Sequence, residues 1–145
     1  MSSEEGFDFP SDAWTAAYKD ALNGSERYRE AGKPWTFGAV AMVVSADPAL
    51  GLDEDMGMIL DVHQGHCNST NLVRGMDAVA DTPFVIVAPY ARWRQVIEGE
   101  LDPIKGMMEG KLKLTQGNLP TMIRYVESSR ELVSSASRVP TRFRA

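Results

Sequence analysis

The side chains best suited to chemistry cluster in His63-Gln64-Gly65-His66-Cys67, which contains both histidines and the only cysteine of the 145-residue chain. Gln64-Gly65 predicts a two-residue hairpin turn, which would set the two imidazoles opposite one another on adjacent strands. A transition-metal site needs three or four ligands, and Cys67 is expected to point to the other face of its strand. We therefore interpret the segment as an exposed hairpin tip, with His63 and His66 as the metal candidates.

Carboxylates are the second group that could do chemistry. Asp53-Glu54-Asp55 lacks the ligand spacing of an EF-hand, so we interpret it as a solvated acidic turn. Asp61 and Asp77 are candidates for a general base, a role that requires a carboxylate facing an apolar pocket. Asp61, however, falls on the polar side of a predicted strand. A small α+β enzyme with one of these carboxylates as its base stays open as an alternative function.

Other familiar chemistries find no support in the sequence. The chain has no Gly-x-Ser-x-Gly motif to present a serine nucleophile, and its glycines lack the patterns that hold nucleotide phosphates. We therefore predict neither an enzymatic activity nor a cofactor. The formal charge of −5 also argues against nucleic acid as a partner, because affinity for nucleic acid comes largely from clustered Lys and Arg.

Apolar side chains are abundant on short elements in the closing third of the chain. Methionine is flexible enough to line a cavity for variable ligands, although a methionine stripe is also typical of an ordinary core. The candidate lining residues are Phe84, Ile86, Trp93, Ile97, Met107, Met108, Leu119, Met122, Ile123 and Val126. A further alternative places exposed aromatic and Met residues in the subunit interface of an oligomeric interaction module.

Length and composition predict one domain over residues 1–145. A chain of this length with 43% hydrophobic residues can bury one core but not two ordinary ones. It has no apolar run long enough for a signal peptide or a membrane span, and the lone Cys67 cannot form an internal disulfide. These features predict a soluble, cytoplasmic protein.

Two helices are predicted before any strand, the first opened by Pro10-Ser11-Asp12 and the second capped by Ser25. Strands are then predicted over residues 35–46, 56–63, 66–74 and 84–87. The first of these strands is apolar on both alternating faces, which is typical of a central strand covered on both sides. Pro89 then opens a third helix.

Residues 99–118 form a closely punctuated connection to the end of the chain. Gly99 is suited to end the preceding helix in the left-handed conformation, and Asp102-Pro103 is suited to start a short helix that Gly110 closes. The segment therefore predicts a short helix with sharp boundaries.

A single strand and a final helix follow this connection. Leu112 and Leu114 alternate with polar residues, as in a strand with one buried face. Gly117-Asn118 turns the chain, and Asn118 is placed to cap a final helix over residues 119–134.

This order of helix, short apolar helix, single strand, turn and helix resembles the closing segment of the sterol carrier protein (lipid-transfer) family. The residues that carry the resemblance are Gly99, Leu101, Pro103, Met107 or Met108, Gly110-Lys111-Leu112-Lys113-Leu114 and Gly117-Asn118. The resemblance covers about the last third of the chain, and the order of the earlier elements agrees with it. Relative to the usual family spacing, Thr115-Gln116 adds one residue, which predicts a β-bulge or a longer turn.

The resemblance implies an α+β domain in which helices pack on one face of a five-stranded, mainly antiparallel sheet and enclose an apolar tunnel. It implies that the protein binds or carries a fatty acid, acyl-CoA, sterol or isoprenoid lipid. The final helix would act as a gate, because mobile elements are drawn from the least stable parts of a structure. Truncation after Ser129 is accordingly expected to leave a folded domain.

The two ends of the chain, residues 1–9 and 135–145, are predicted to be loosely ordered. The first lacks apolar periodicity, and Pro140 argues against continued helix in the second. Arg138, Arg142 and Arg144 would attract an anionic membrane or head group to the second end, so transient membrane contact is expected there.

Overall fold

The structure is a computed structural model and describes residues 6–144. The helices are α1 (Asp12–Asn23), α2 (Glu26–Ala31), α3 (Tyr90–Ile97), α4 (Pro103–Met108), α5 (Leu119–Arg124) and α6 (Val126–Ser134). The strands are β1 (Phe7–Asp8), β2 (Val40–Val44), β3 (Met56–His63), β4 (His66–Arg74), β5 (Phe84–Ala88), β6 (Lys113–Gln116) and β7 (Thr141–Arg142). Short 3₁₀ turns follow β2, β4 and α6.

The main sheet has five strands in the order β4-β3-β2-β5-β6. β2 pairs in parallel with β5, and the other neighbouring strands are antiparallel. The predicted five-stranded, mainly antiparallel sheet is therefore confirmed. β2 occupies its middle position, and all of its residues are buried, as the apolar pattern on both faces of this strand predicted.

The two faces of the sheet differ in what covers them. Val40, Met42 and Val44 pack with buried side chains of all the helices in one main core. Ala41 and Val43 lie on the opposite face in a small second cluster, to which the 3₁₀ turn after β4 contributes. The helices therefore gather on one face of the sheet, as predicted.

Side-chain caps set the start of several helices. Ser11, Ser25, Asp102 and Asn118 each accept a hydrogen bond from the backbone N–H three residues further on. Such a bond satisfies one of the free N–H groups at a helix start, which is why these residue types are favoured there. The caps predicted at Ser25 and Asn118 are confirmed.

The additional residue in β6 is accommodated by a β-bulge. Val85 pairs with Gln116, whereas the next residue of β5, Ile86, pairs with Leu114. Thr115 is therefore the extra residue, since two positions of β5 lie opposite three of β6. The irregularity predicted from the spacing of this segment is confirmed.

The final helix differs from the prediction because it is divided into α5 and α6. Tyr125 separates them with φ −108° and ψ 48°, outside the helical region. Near the break, the hydroxyl of Ser129 donates to the carbonyl oxygen of Met122 at 3.2 Å, so this oxygen has a partner. The apolar stripe continues across Tyr125, which is why periodicity alone did not reveal the break.

Residues 1–9 and 135–145 were predicted to be loosely ordered, but the described parts of these ends, residues 6–9 and 135–144, pack against the domain. β1 pairs in parallel with β7, and Phe9 and Val139 are buried in the main core. Each of these strands has two residues, too few to show a period, and its partner lies at the other end of the chain. Residues 1–5 and 145 lie outside the described residues.

The arginines of the C-terminal segment bind groups of the protein itself. Arg142 forms an ion pair with Asp8 at 2.6 Å, and Arg144 donates to the carbonyl oxygen of Leu50 at 3.1 Å. Arg138 donates to a serine hydroxyl of the same turn. These bonds hold the segment against the domain. Within residues 6–144, no helix has the length and apolar character needed to cross a membrane.

Truncation after Ser129 is expected to unfold the domain, contrary to the expectation from sequence. It removes the buried side chains of Leu132, Val133 and Val139, each of which contributes about 1.5–3 kcal/mol when fully buried. Their sum approaches the total stability of a typical domain, about 5–15 kcal/mol. The measurement is thermal unfolding followed by circular dichroism.

The control is truncation after Phe143, which removes Arg144 and Ala145. It should lower the melting temperature by a few degrees at most. A cooperative, near-native melt of the protein truncated after Ser129 would contradict the role assigned to the C-terminal segment.

Candidate functional site

The interior space of this fold lies between the main sheet and α2, α5 and α6. A narrow gap there has about 0 Å³ of space for a water-sized molecule, so it is closed in this structure. Its lining residues are Tyr28, Trp35, Val40, Val62, Met122, Ser128, Ser129 and Leu132. Ligand pockets usually measure about 300–1,000 Å³, so the helices over this closed gap would have to move apart to admit a lipid.

Of the three helices beside the gap, α2 and α5 are each attached to the core by one buried side chain. α2 buries Tyr28 and α5 buries Met122. By contrast, α6 buries Ser128, Ser129, Leu132 and Val133. Elements with few buried contacts open at the lowest free energy. The gap therefore lies beneath the helices that can be displaced with the smallest loss of packing.

Polar contacts hold α6 against α1 and against the start of α4. The Tyr18 hydroxyl of α1 donates to the carbonyl oxygen of Leu132 at 2.6 Å. Arg130 pairs at 2.6 Å with Asp102, which also caps the start of α4. These contacts make α6 a fixed wall of the gap, while α5 is joined to it through the break at Tyr125.

Four aromatic residues, Trp35, Phe37, Phe84 and Tyr125, form an aromatic cluster beside the gap that reaches from the core to the surface. Ring centroids lie 5.1 Å apart for Trp35 and Phe84, 5.1 Å for Trp35 and Phe37, and 4.9 Å for Phe37 and Tyr125. Trp35 lines the gap, whereas the side chain of Phe37 is 38% exposed. The aromatic cluster thus connects the lining of the gap to the surface at the α5–α6 break.

Of the three hydroxyl-bearing residues that line the gap, Tyr28 and Ser128 have no hydrogen-bond partner for their hydroxyls in the part of the chain that the structure describes. Tyr28 and Ser128 are 1% and 3% exposed, and neither side-chain oxygen has a hydrogen-bond partner among residues 6–144. Burial raises the pKa of the Tyr28 phenol well above its usual value, so this group stays neutral. Buried polar groups normally find partners, so this pair is exceptional.

The candidate lining residues predicted from sequence fall into three groups. Those buried in the main core are Phe84, Ile86, Trp93, Ile97, Met107 and Met122. Leu119 and Val126 pack against that core and are partly buried, whereas Met108 and Ile123 are 65% and 41% exposed. In the described part of the chain, Met122 is the member of this set that lines the gap.

Met108 and Ile123 show that residue type alone does not predict which side chains of a helix are buried. Successive residues of a helix point about 100° apart, so the side chains in the pairs Met107-Met108 and Met122-Ile123 diverge. The first of each pair is buried and the second lies at the surface. Their residue types alone gave no sign of this difference.

Most of the gap lining was not predicted. Val40 and Val62 lie on the buried phase of their strands, so the strand pattern could have identified them. Tyr28 and Ser128 gave no comparable signal, because their residue types do not show whether a hydroxyl faces solvent or the core. Only the packing of α2 against α6 shows where they lie.

The other chemical candidates lie away from this gap. His63 and His66 pair across the β3–β4 hairpin, as predicted, and both are exposed. Cys67 is buried on the other face, and burial raises the pKa of its thiol to about 11. Residues 6–144 contain no group of three His, Cys, Asp or Glu side chains arranged to hold a metal ion. Asp61 and Asp77 are exposed and do not line the gap.

Comparison with solved structures identifies close relatives of this fold. A crystal structure of sterol carrier protein 2 matches with a TM-score of 0.82 and 36% identity, over 89% of this chain and 97% of that chain. The chain belongs to the sterol carrier protein family. A solution structure from Thermus thermophilus, of a conserved hypothetical protein described as possibly a sterol carrier protein, matches with a TM-score of 0.79 and 36% identity, over 88% and 87% of the two chains.

More distant members of the family share the fold. Sterol carrier protein 2 from Yarrowia lipolytica, in its apo form, matches with a TM-score of 0.54 and 18% identity, over 88% of this chain and 92% of that chain. Searches of protein-family models and of curated proteins found no match. The family resemblance identified from the closing segment is confirmed by the structures.

The Asp102–Arg130 pair gives a pH-dependent test of how α6 is fixed. Partial burial acts to raise the pKa of Asp102, but hydrogen bonds and charge from Arg130 and the helix start outweigh it, so this pKa lies below its usual value. A carboxyl group with a lowered pKa stabilises the folded state above its unfolded pKa of about 3.9. The contribution is lost as the pH falls through the folded pKa.

Asp102→Asn is therefore expected to cost up to about 1 kcal/mol at pH 7, since the pair is partly exposed. The amide oxygen can still cap α4, so the cost reports mainly on the ion pair. Urea unfolding at pH 7 and at pH 2.5 measures the difference from the unmodified protein. A difference that is equally large at both pH values would contradict this assignment.

Proposed function

We propose that this protein binds and carries a hydrophobic small molecule in the space between the sheet and α2, α5 and α6. The ligand class is that of fatty acids, acyl-CoA, sterols and isoprenoid lipids. The observation that carries the proposal is the narrow gap lined by Met122 and other uncharged side chains, which lies beneath the two helices that bury one residue each. Membership of the sterol carrier protein family supports the same class of ligand.

Binding would be a partition of the lipid chain from water into the widened gap. Each methylene group that leaves water contributes about 0.8 kcal/mol. Val40 and Val62 would form the floor of the site, and Met122 and Leu132 its roof. Phe84 and Ile86 lie on β5, next to β2, and would be reached as the space widens.

We propose that α5 is the gate. The sequence had suggested the whole final helix for this role, with its C-terminal end as the mobile part. Displacing α5 moves one fully buried side chain, Met122, and the non-helical backbone at Tyr125 offers a hinge that leaves α6 in position. Movement of Tyr125 would also separate it from Phe37 and open the aromatic cluster. A lipid would then enter between α5 and the segment that carries Trp35 and Phe37.

Saturated fatty acids of increasing length are expected to raise the melting temperature progressively. A ligand at 100 times its dissociation constant adds about 2.7 kcal/mol to the stability of the native state, roughly 5–10 °C for a domain of this size. Each added methylene should tighten binding about fourfold. Differential scanning fluorimetry with decanoate, dodecanoate and tetradecanoate measures both effects.

Two substitutions of methionine locate the site. Met122→Asp places a charge at a position with 0% exposure and should abolish the shift, whereas Met76→Asp lies at a 38% exposed position and should leave it intact. Because a buried charge can also unfold a protein, Met122→Phe provides a second variant that stays apolar and fills the gap. A shift that is independent of chain length, or unchanged in both Met122 variants, would refute the proposed site.

A further inference from the structure

The unpartnered hydroxyls of Tyr28 and Ser128 are unusual for a protein interior. A buried hydroxyl without a partner loses its hydrogen bonds to water and gains none in exchange. Both residues line the same gap, Tyr28 from α2 and Ser128 from α6, and the other lining side chains are mainly apolar. Their presence there requires a physical reason.

Two neighbouring residues of the same types show what a structural hydroxyl looks like in this core. Tyr18 is 0% exposed, and its hydroxyl donates to the carbonyl oxygen of Leu132 at 2.6 Å. Ser129 is 2% exposed, and its hydroxyl donates to the carbonyl oxygen of Met122 at 3.2 Å. Tyr28 and Ser128 match them in type and burial but lack such bonds. Their hydroxyls therefore do not stabilise the fold in the same way.

We propose that Tyr28 and Ser128 bind a neutral polar group of the lipid, such as an alcohol, ketone, ester or amide, inside the apolar space. This inference rests on the proposed function and names the ligand chemistry of that site. Each of the two hydroxyls can donate one hydrogen bond and accept others, so the pair can serve an alcohol or a carbonyl oxygen.

The charges around the gap distinguish a neutral group from an ionised one. The described residues that line it are all uncharged, so a carboxylate or ammonium placed there would have no opposite charge. Burying an unpaired charge costs far more than burying a hydrogen-bonded neutral group. An ionised fatty acid would accordingly keep its carboxylate at the surface, and the pair of hydroxyls would favour ligands whose polar group is neutral.

The test compares dodecan-1-ol with dodecanoate, which share a chain length and differ in the charge of the polar group. Binding is measured by displacement of a fluorescent fatty-acid probe. The double variant Tyr28→Phe/Ser128→Ala removes both hydroxyls and keeps the apolar shape. It should weaken dodecan-1-ol on the order of tenfold, because two hydrogen bonds are lost, and change dodecanoate less than about twofold.

Thermal stability without ligand gives an independent readout. The double variant should melt at the same temperature as the unmodified protein or higher, since it removes two unsatisfied polar groups. The matched variants Tyr18→Phe and Ser129→Ala should both melt at a lower temperature, because each loses a hydrogen bond. Tyr18→Phe, which lies outside the gap lining, should also keep the ratio of dodecan-1-ol to dodecanoate affinity.

The outcomes separate this inference from the proposed function. If both ligands bind and the double variant leaves their affinity ratio unchanged, the inference fails and the proposed function stands. A fall in melting temperature of the double variant as large as in the matched controls would also overturn it, because the hydroxyls would then have partners. If neither ligand binds the unmodified protein, the proposed function and the inference both fail.

Discussion

The structure depends on one interface, the packing of all the helices against the face of the sheet that carries Val40, Met42 and Val44. Every helix contributes buried side chains to this single core, but the contributions are unequal. α2 and α5 bury one residue each, and the narrow gap lies beneath them. We propose that the core opens at this point, where the helices bury least, without loss of the sheet or of α6.

The energetic balance of such an opening is modest. Full exposure of a methionine side chain costs about 1.5–3 kcal/mol, which a ligand offsets by burying about two to four methylene groups. The unpartnered hydroxyls of Tyr28 and Ser128 act in the same direction, since they make the closed state less stable than a fully satisfied core. A lipid with a neutral polar group would supply both the missing apolar contacts and the missing hydrogen bonds.

The sequence predicts most of the fold because local rules determine it. The two apolar faces of β2 fixed its place at the centre of the sheet, Asn118 marked a helix start, and the spacing of β6 revealed a bulge. The break at Tyr125 and the β1–β7 pair were not predictable. The first interrupts no apolar period, and the second joins opposite ends of the chain.

The lining of the gap was less predictable than the fold. Residue type identified the apolar side chains in the last third of the chain as candidate lining residues. In the described part of the chain, Met122 alone of these candidates lines the gap. The family resemblance correctly indicated the architecture, whereas the lining depends on which side of each helix faces inward. That is decided by packing between elements far apart in sequence, as for Tyr28 and Ser128.

The most direct measurement is a crystal structure of the protein with bound dodecan-1-ol. The account predicts that the alkyl chain lies between Val40 and a displaced Met122, that α6 keeps its position, and that the ligand oxygen lies within hydrogen-bonding distance of Tyr28 or Ser128. A ligand bound elsewhere, with the gap closed and α5 in its present place, would contradict the account.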